Sequence, residues 1–216
     1  MVRSESARRH TKDDVARAAL QILDDEGLPE LTMRRLAAAL DVQPSALYWH
    51  FPNKQTLLAE LADRIVGRGA APDEGAAAAS RTRSEAMALR DRLLAYRDGA
   101  EVVSSTLALG LGATAAQDRL EAAIEADGHD RVIAGPASSA LLHFVIGHVS
   151  HEQQRMQYDS LGVVQPDTGL APHRDGGAAA DFAFGVDLLI GGLEQLRAGG
   201  ARETGRQTIA GTGRPG

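Results

Sequence analysis

The short segment from Ser45 to His50 combines side chains that are suited to contact nucleic acid. A serine exchanges hydrogen bonds with base edges, and an alanine can contact a thymine methyl group. Tyrosine and histidine are suited to phosphate oxygens. If the segment is helical, its exposed face presents Ser45, Ala46, Tyr48, Trp49 and His50. The alternative is that these aromatic residues form an ordinary core patch, with Arg34-Arg35 on a solvated face.

A second candidate for chemistry is a group of histidines between residues 143 and 151. His148 and His151 are about one helical turn apart, so with Glu152 they could offer two imidazoles and a carboxylate to zinc. The order differs from the His-Glu-x-x-His motif of metalloproteases. No nucleophile–base order, phosphate loop or dinucleotide fingerprint accompanies the group. We therefore expect His143, His148 and His151 to be polar helix residues or ligand contacts, and we expect no enzyme activity, cofactor or metal.

The composition excludes several classes of protein. The chain has 216 residues and no cysteine, which removes disulfides, cysteine-ligated zinc and thiol nucleophiles. Its N-terminus is polar, and no apolar run of about 18 residues predicts a membrane span, so we expect a cytoplasmic protein. The net charge is −6, but residues 1–54 carry eight basic and eight acidic residues, so the negative excess lies beyond Lys54. A neutral, locally basic N-terminal part is compatible with DNA contact.

Residues 11–66 predict four helices that must position the first segment. An apolar stripe at helical spacing marks the first helix: Val15, Ala18, Ala19, Ile22 and Leu23. The first helix follows the N-cap Thr11 and ends at Gly27, and the second follows the N-cap Thr32 and ends at Leu40. The third runs from Pro44 to His50, and the fourth follows the N-cap Asn53.

The second and third of these helices form a helix-turn-helix. Asp41 occupies the turn position where glycine is common, and aspartate tolerates the left-handed conformation better than most residues. Ala37 is small where the two helices must approach closely. The shared core of the pair is predicted to contain Leu36, Leu40, Val42 and Leu47.

The remainder predicts a larger helical domain over 81–198, so the fold is all-α. Apolar spacing indicates helices over 83–98, 114–127, 136–157 and 178–197, and Thr114 with Gln117 fits a capping box. We interpret 1–10 as a flexible arm, 67–80 as a linker, 158–177 as a long loop and 199–216 as a disordered tail.

Several runs of sequence carry a resemblance to a known family. The run Thr32-Met33-Arg34-Arg35-Leu36-Ala37, then Leu47-Tyr48-Trp49-His50-Phe51 and Asn53-Lys54, is similar to the TetR family of bacterial transcription regulators. Further matches toward the family's tetracycline-binding members are Tyr96-Arg97-Asp98-Gly99-Ala100, His143-Phe144-Val145-Ile146-Gly147 and Phe182-Ala183-Phe184-Gly185-Val186.

The resemblance assigns roles to the N-terminal residues. It implies that Thr32 and Arg34 contact double-stranded operator DNA from the second helix. Pro44, Ser45 and Ala46 would face base edges, and the backbone would be held by Tyr48, Trp49, His50 and Lys54. The 81–198 domain would hold an effector and form a homodimer through its last two long helices. Gly147, Gly185, Gly191 and Gly192 would let those helices cross closely.

Departures from the tetracycline-binding members concern the effector. Val103 stands where those members have a metal-ligating histidine, and His151 where they have a helping glutamate. The resemblance therefore implies a mostly apolar effector that is not a magnesium–tetracycline chelate. The residues expected to contact it are Glu85, Leu89, Val103, Thr106, Leu107, Leu142, His148 and His151.

The sequence thus predicts a DNA-binding regulator, more often a repressor than an activator, which an effector releases by changing the spacing of its two DNA-binding parts. The fourth helix is the expected lever between effector and DNA. Two alternatives stay open: a metal-dependent enzyme that uses His148, His151 and Glu152, and a helical adaptor that has lost DNA binding.

Overall fold

The computed structural model describes residues 10–67, 80–160, 162 and 177–211, with side chains described as far as residue 198. All regular structure in these ranges is helical, which confirms the all-α prediction. In chain order the helices are α1 (Lys12–Glu26), α2 (Met33–Ala39), α3 (Pro44–Leu47), α4 (Lys54–Gly67), α5 (Arg81–Leu94), α6 (Gly99–Ala108), α7 (Thr114–Ala126), α8 (Arg131–Ser160) and α9 (Gly177–Gly211). We call residues 10–67 the head and residues 80–198 the body.

The first helix begins and ends where local chemistry requires. The Asp14 N–H donates to Thr11 Oγ1 at 3.1 Å, while the Thr11 N–H donates to Asp14 Oδ2 at 2.9 Å, which closes a capping box. The hydrogen bond from the Thr11 backbone to Asp14 lowers the pKa of that carboxyl. Gly27 ends the helix with a φ of 93°. The predicted stripe is buried except at Ala18, which is half-buried.

The helix-turn-helix forms as predicted, with one shorter helix. Leu36, Ala37 and Leu47 are buried between α2 and α3, and Asp41 has the predicted left-handed conformation with a φ of 54°. Helix α3 ends at Leu47 rather than His50. The helix ends early because Pro52 disfavours helical geometry at Phe51, the residue before it. The Phe51 side chain is buried in the core of the head.

Two predictions for the body are wrong. Helix α5 ends at Leu94, and a separate helix α6 begins at Gly99, where no further helix was predicted. A glycine followed by adjacent β-branched valines is a weak local helix signal, but Val102 and Val103 are fully buried and tertiary packing decides. The capping box at Thr114 is also absent. Ala113 is the N-cap of α7, with a φ of 58°, and Gln117 Nε2 donates to Ser139 Oγ at 2.9 Å.

The last two helices are longer than predicted. Helix α8 begins five residues before Pro136 and ends at Ser160, so its last residues replace the start of the loop predicted over 158–177. Helix α9 is assigned through Gly211, whereas the prediction of a disordered tail over 199–216 stays a prediction. Ala, Arg, Glu and Gln in that stretch are good helix formers. Residues 1–9, 68–79, 161, 163–176 and 212–216, which include most of the predicted arm, linker and loop, lie outside the described residues.

Helix α8 is long and apolar enough to cross a membrane by length and composition alone. The core helix of a soluble protein meets the same criterion. Its Leu141, Val145 and Val149 are buried, and the helix packs against α5, α6, α7 and α9. We therefore interpret α8 as the central helix of the body.

Candidate nucleic-acid interface and ligand-binding body

Most of the predicted nucleic-acid contacts are exposed and lie in or next to α2 and α3. Trp49 is 91% exposed, an unusual state for so large an apolar ring. Leu47 and Phe51 on either side of it are buried, so the backbone there is fixed. Thr32, Arg34, Ser45, Ala46 and Tyr48 are exposed, whereas Pro44, His50 and Lys54 are half-buried.

The two adjacent arginines of α2 have different roles. Arg35 forms an ion pair with Glu26 of α1, which raises the pKa of the guanidinium through a side-chain hydrogen bond. Arg34 has no ion pair among the described residues, so its charge is available to an external anion. The Thr32 hydroxyl accepts the Arg35 N–H at 3.0 Å, which caps α2 and leaves the hydroxyl proton free to donate.

Ion pairs connect α1 and α4 within the head. Lys12 Nζ lies 2.6 Å from Glu60 Oε2, and this interaction lowers the pKa of Glu60. Arg64 joins Asp13 at 2.7 Å and Glu60 at 2.9 Å. Helices α1 and α4 are thereby tied together, and the carboxylates of Asp13 and Glu60 are paired with basic side chains of the head.

The residues predicted to contact an effector are only partly brought together. Leu89, Val103, Thr106 and Leu142 are buried in the body, and Leu107 is half-buried against the same core. The Thr106 hydroxyl donates to backbone carbonyls of its own helix. The two histidines of the set, His148 and His151, are half-buried and exposed respectively.

The interior of the body is more polar than the sequence suggested. Glu85 accepts a hydrogen bond of 2.8 Å from Arg92 Nη1, and both side chains are more than nine-tenths buried. Arg90, equally enclosed, donates to both oxygens of Glu152 at 2.7 and 2.9 Å. Arg92 Nη2 and Arg90 Nε are buried without a hydrogen-bond partner among the described residues.

Sequence reasoning missed both of these arginines. Glu85 and Arg92 are seven residues apart, on the same face of α5 as Leu89. Opposite charges on an otherwise apolar helix face were therefore an available signal for a buried ion pair.

The histidine group does not assemble a metal site. His148 packs its ring against Phe144 and Phe182, at 5.8 and 5.2 Å between centroids, and His148 Nε2 is 3.1 Å from the carbonyl oxygen of Ala178. Glu152 is engaged by Arg90. Within the described ranges no three metal-ligating side chains converge.

An apolar face of the body is left uncovered. On α9, Phe184 is 70% exposed, Leu188 is 66% exposed, and Leu196 is also exposed. A Cβ at Gly147, Gly191 or Gly192 would meet open space, whereas one at Gly185 would overlap the Phe144 ring. Gly185 therefore permits α8 and α9 to cross closely within the chain, and the other three glycines line outward-facing surfaces.

A cleft of about 270 Å³ lies where the turn between α5 and α6 meets the end of α8. None of the predicted effector contacts lines it. Its walls are formed by Leu94, Tyr96, Arg97, Asp98, Gln153, Met156, Gln157 and Ser160.

Comparisons with known proteins match both parts of the chain. A model of bacterial regulatory proteins of the tetR family matches residues 15–61, and one for the tetracyclin repressor-like C-terminal domain matches residues 71–197. The tetracycline repressor protein class C of Escherichia coli is 36% identical over 205 residues, which cover 86% of this chain and 91% of that protein.

Two solved structures extend the comparison. BioQ of Mycobacterium smegmatis aligns with a TM-score of 0.70 and 38% identity, over 85% of this chain and 97% of its own; a structure of BioQ with its double-stranded DNA operator aligns with a TM-score of 0.67. A TetR variant from Acinetobacter baumannii AYE in complex with minocycline aligns with a TM-score of 0.67 and 32% identity, over 87% and 98% of the two chains.

Proposed function

The chain belongs to the TetR family of ligand-responsive, DNA-binding transcription regulators, and from this premise we propose that it is a cytoplasmic repressor. It binds operator DNA as a homodimer through the head, and a small-molecule effector in the body releases it. The domain division given by the sequence, with DNA binding over 1–66 and effector binding and dimerisation over 81–198, is part of this proposal.

The observation that carries the proposal is the exposed face of the head. Trp49 projects into solvent, and Tyr48, Ser45 and Arg34 are also exposed, with Arg34 in no ion pair among the described residues. The backbone around Trp49 is held by buried Leu47 and Phe51. This arrangement suits phosphate contacts around a short base-reading helix. Pro44, Ser45 and Ala46 are assigned to base edges. Phosphate contacts are assigned to Thr32, Arg34, Tyr48, Trp49, His50 and Lys54.

Dimerisation is assigned to the uncovered face of α8 and α9. Phe184, Leu188 and Leu196 expose a row of large apolar side chains, which a monomeric soluble protein rarely leaves in water. Gly191 and Gly192 leave room for a second helix to approach. A second copy of the chain is the partner that covers both features, because the resulting two-fold symmetry also supplies two heads for two half-sites.

The effector site is assigned to the interior where α5, α6 and α8 meet. Leu89, Val103, Leu107 and Leu142 supply apolar contacts, and Glu85, Thr106, His148 and His151 are the assigned polar contacts. Because Val103 is fully buried and has no donor atom, a hydrated magnesium chelate would lose polar partners there. The effector is therefore mostly apolar, although the Glu85–Arg92 pair requires at least one polar region in the site.

Helix α4 connects this interior to the head. The Ala113 N–H donates to Asp63 Oδ1 at 2.6 Å, and Arg119 Nη1 donates to the Val66 carbonyl oxygen at 3.1 Å. A shift of α6 or α7 on effector binding would move α4 and change the distance between the two heads. Operator release follows when that distance no longer fits half-sites about 34 Å apart.

The test is a gel-shift and anisotropy titration of the full chain with the intergenic DNA upstream of its own gene. Because Trp49 is the sole tryptophan, its fluorescence should also change on binding. Failure to bind any of this DNA at low salt would contradict the proposal. Release of the complex by micromolar tetracycline only when magnesium is present would contradict the effector assignment and leave DNA binding intact.

A further inference from the structure

The turn between α5 and α6 is fastened to α8 by one buried carboxamide. Gln153 Nε2 donates to the carbonyl oxygens of Leu93 and Tyr96 at 3.1 and 2.8 Å, and Gln153 Oε1 accepts the Ala100 N–H at 3.2 Å. These backbone groups lie in the last turn of α5, in the connection after it and in the first turn of α6. The position of the turn is therefore set by α8.

The same turn holds the head through Asp98. This residue has a left-handed conformation, with a φ of 56°, and is buried. Its Oδ2 accepts the N–H of Leu28, in the connection between α1 and α2, at 2.8 Å, and its Oδ1 accepts a hydrogen bond from Gln157 Nε2. Hydrogen bonds to a carboxylate are stronger than those between neutral groups. Gln157 of α8 and the connection between α1 and α2 thus bind the same carboxylate.

The contact at Asp98 is tight and does not pass through α4. A Cβ at Gly27 would lie 3.0 Å from Asp98 Oδ2, and the N–H of Arg97 is 3.4 Å from Asp24 Oδ1. The head therefore rests on the body at two separate places, one on α4 and one on the α5–α6 turn. Two attachments restrict rotation of the head, which a single helix would permit.

We propose that Gln157 is a positioning residue for operator binding, which acts through Asp98 on the connection between α1 and α2. With Gln153 it makes the end of α8 a second route from the body to the head, in addition to α4. The inference rests on the proposed operator binding. It predicts that a change confined to α8, which belongs to the body, alters DNA affinity although the altered side chain does not contact DNA.

The experiment compares Gln157→Leu with Gln154→Leu, a matched change at an exposed glutamine of the same helix. Operator anisotropy titrations on the full chain should show roughly tenfold weaker binding for Gln157→Leu, the factor expected for one lost hydrogen bond to a charged group. The operator affinity of Gln154→Leu should stay within about twofold of that of the unmodified protein, because this change removes no hydrogen bond to a charged group. Gln157→Lys should bind like Gln154→Lys, because its ammonium group can still donate to Asp98.

Two further readouts separate positioning from a merely structural role. The salt dependence of binding should be unchanged in Gln157→Leu, since the phosphate contacts remain. Hydrogen exchange at the Leu28 amide should accelerate in Gln157→Leu and be restored in Gln157→Lys. Loss of protection together with unchanged operator affinity would reduce Gln157 to a structural residue and overturn the proposal.

Equal operator affinities of Gln157→Leu and Gln154→Leu would overturn the inference alone, because the unmodified protein would still bind. Absence of binding by the unmodified protein would overturn the proposed function and this inference with it. If Gln157→Leu does not fold, Gln157→Glu and Gln157→Lys replace it at pH 7. A carboxylate facing Asp98 should weaken binding relative to Lys, and equal affinities would overturn the proposal.

Discussion

The head and the body use their charged residues in different ways. In the head the ion pairs lie on the surface, where Lys12, Asp13, Glu60 and Arg64 brace α1 against α4. In the body the Glu85–Arg92 pair is enclosed. Exposed pairs contribute little to stability, whereas a buried pair is costly to break. The paired charges of α1 and α4 therefore shape an external surface, whereas the enclosed Glu85–Arg92 pair determines what the interior of the body can hold.

The largest expected effect comes from breaking the enclosed pair. Arg92→Met leaves the Glu85 carboxylate buried without its partner and should lower the free energy of unfolding by about 3–5 kcal/mol. Replacing both residues with methionine should recover most of that loss. Urea denaturation of the three proteins measures it, with Asp13→Asn in the head as a control of small effect. An Arg92→Met variant as stable as the unmodified protein would remove the contrast between head and body.

The next largest effect is expected from the exposed aromatic residues, which should serve different partners in the body and in the head. Phe184→Glu should dissociate the dimer and weaken association by at least about 2 kcal/mol, since a charge replaces an aromatic side chain that the proposed partner subunit would bury. Trp49→Ala should leave the dimer intact and weaken operator binding. Sedimentation velocity at micromolar concentration distinguishes the two variants. A dimer that persists unchanged in Phe184→Glu would show that α9 is not the interface.

A smaller effect is expected for single phosphate contacts of the head. Lys54→Ala or Tyr48→Ala should weaken operator binding about evenly across sequences, and Lys54→Ala should reduce the salt slope by about one. Ser45 variants should instead change which base is preferred. Arg131→Ala, at an exposed site on the body, controls for net charge. If Lys54→Ala matched that control in affinity and salt slope, the placement of α3 and α4 on DNA would be wrong.

The smallest effect is expected at Asp127, which follows α7 and caps the start of α5. Burial alone would raise the pKa of Asp127, but hydrogen bonds from the Ser80 hydroxyl and the Thr82 and Arg81 amides outweigh it and lower the pKa. A lowered folded-state pKa stabilises the protein above the unfolded value of about 3.9, and the contribution disappears as the pH falls through the folded pKa.

Asp127→Asn should therefore cost on the order of 1 kcal/mol at pH 7, as lost caps do. The difference in the free energy of unfolding between the unmodified protein and Asp127→Asn should narrow below about pH 4, where the aspartate becomes protonated. Urea denaturation at several pH values measures this difference. A gap that stays constant down to pH 2 would contradict the assignment.

Local sequence determined most of the head. Thr11 with Asp14, Gly27, Asp41 and the N-cap Thr32 act through backbone groups within a few residues, so short-range rules predicted the helix-turn-helix and its exposed face. The exception is α3, whose end was placed too late because Pro52 and the buried Phe51 act after the helix.

Tertiary structure decided the body. Helix α6 has a weak local signal and forms because Val102 and Val103 are buried against other helices. The Glu85–Arg92 pair and the Gln153 and Gln157 contacts join residues whose meeting depends on which faces of long helices pack together. Helical periodicity predicts that a face is apolar, but it carries no information on the partner face, because packing is settled by distant parts of the chain.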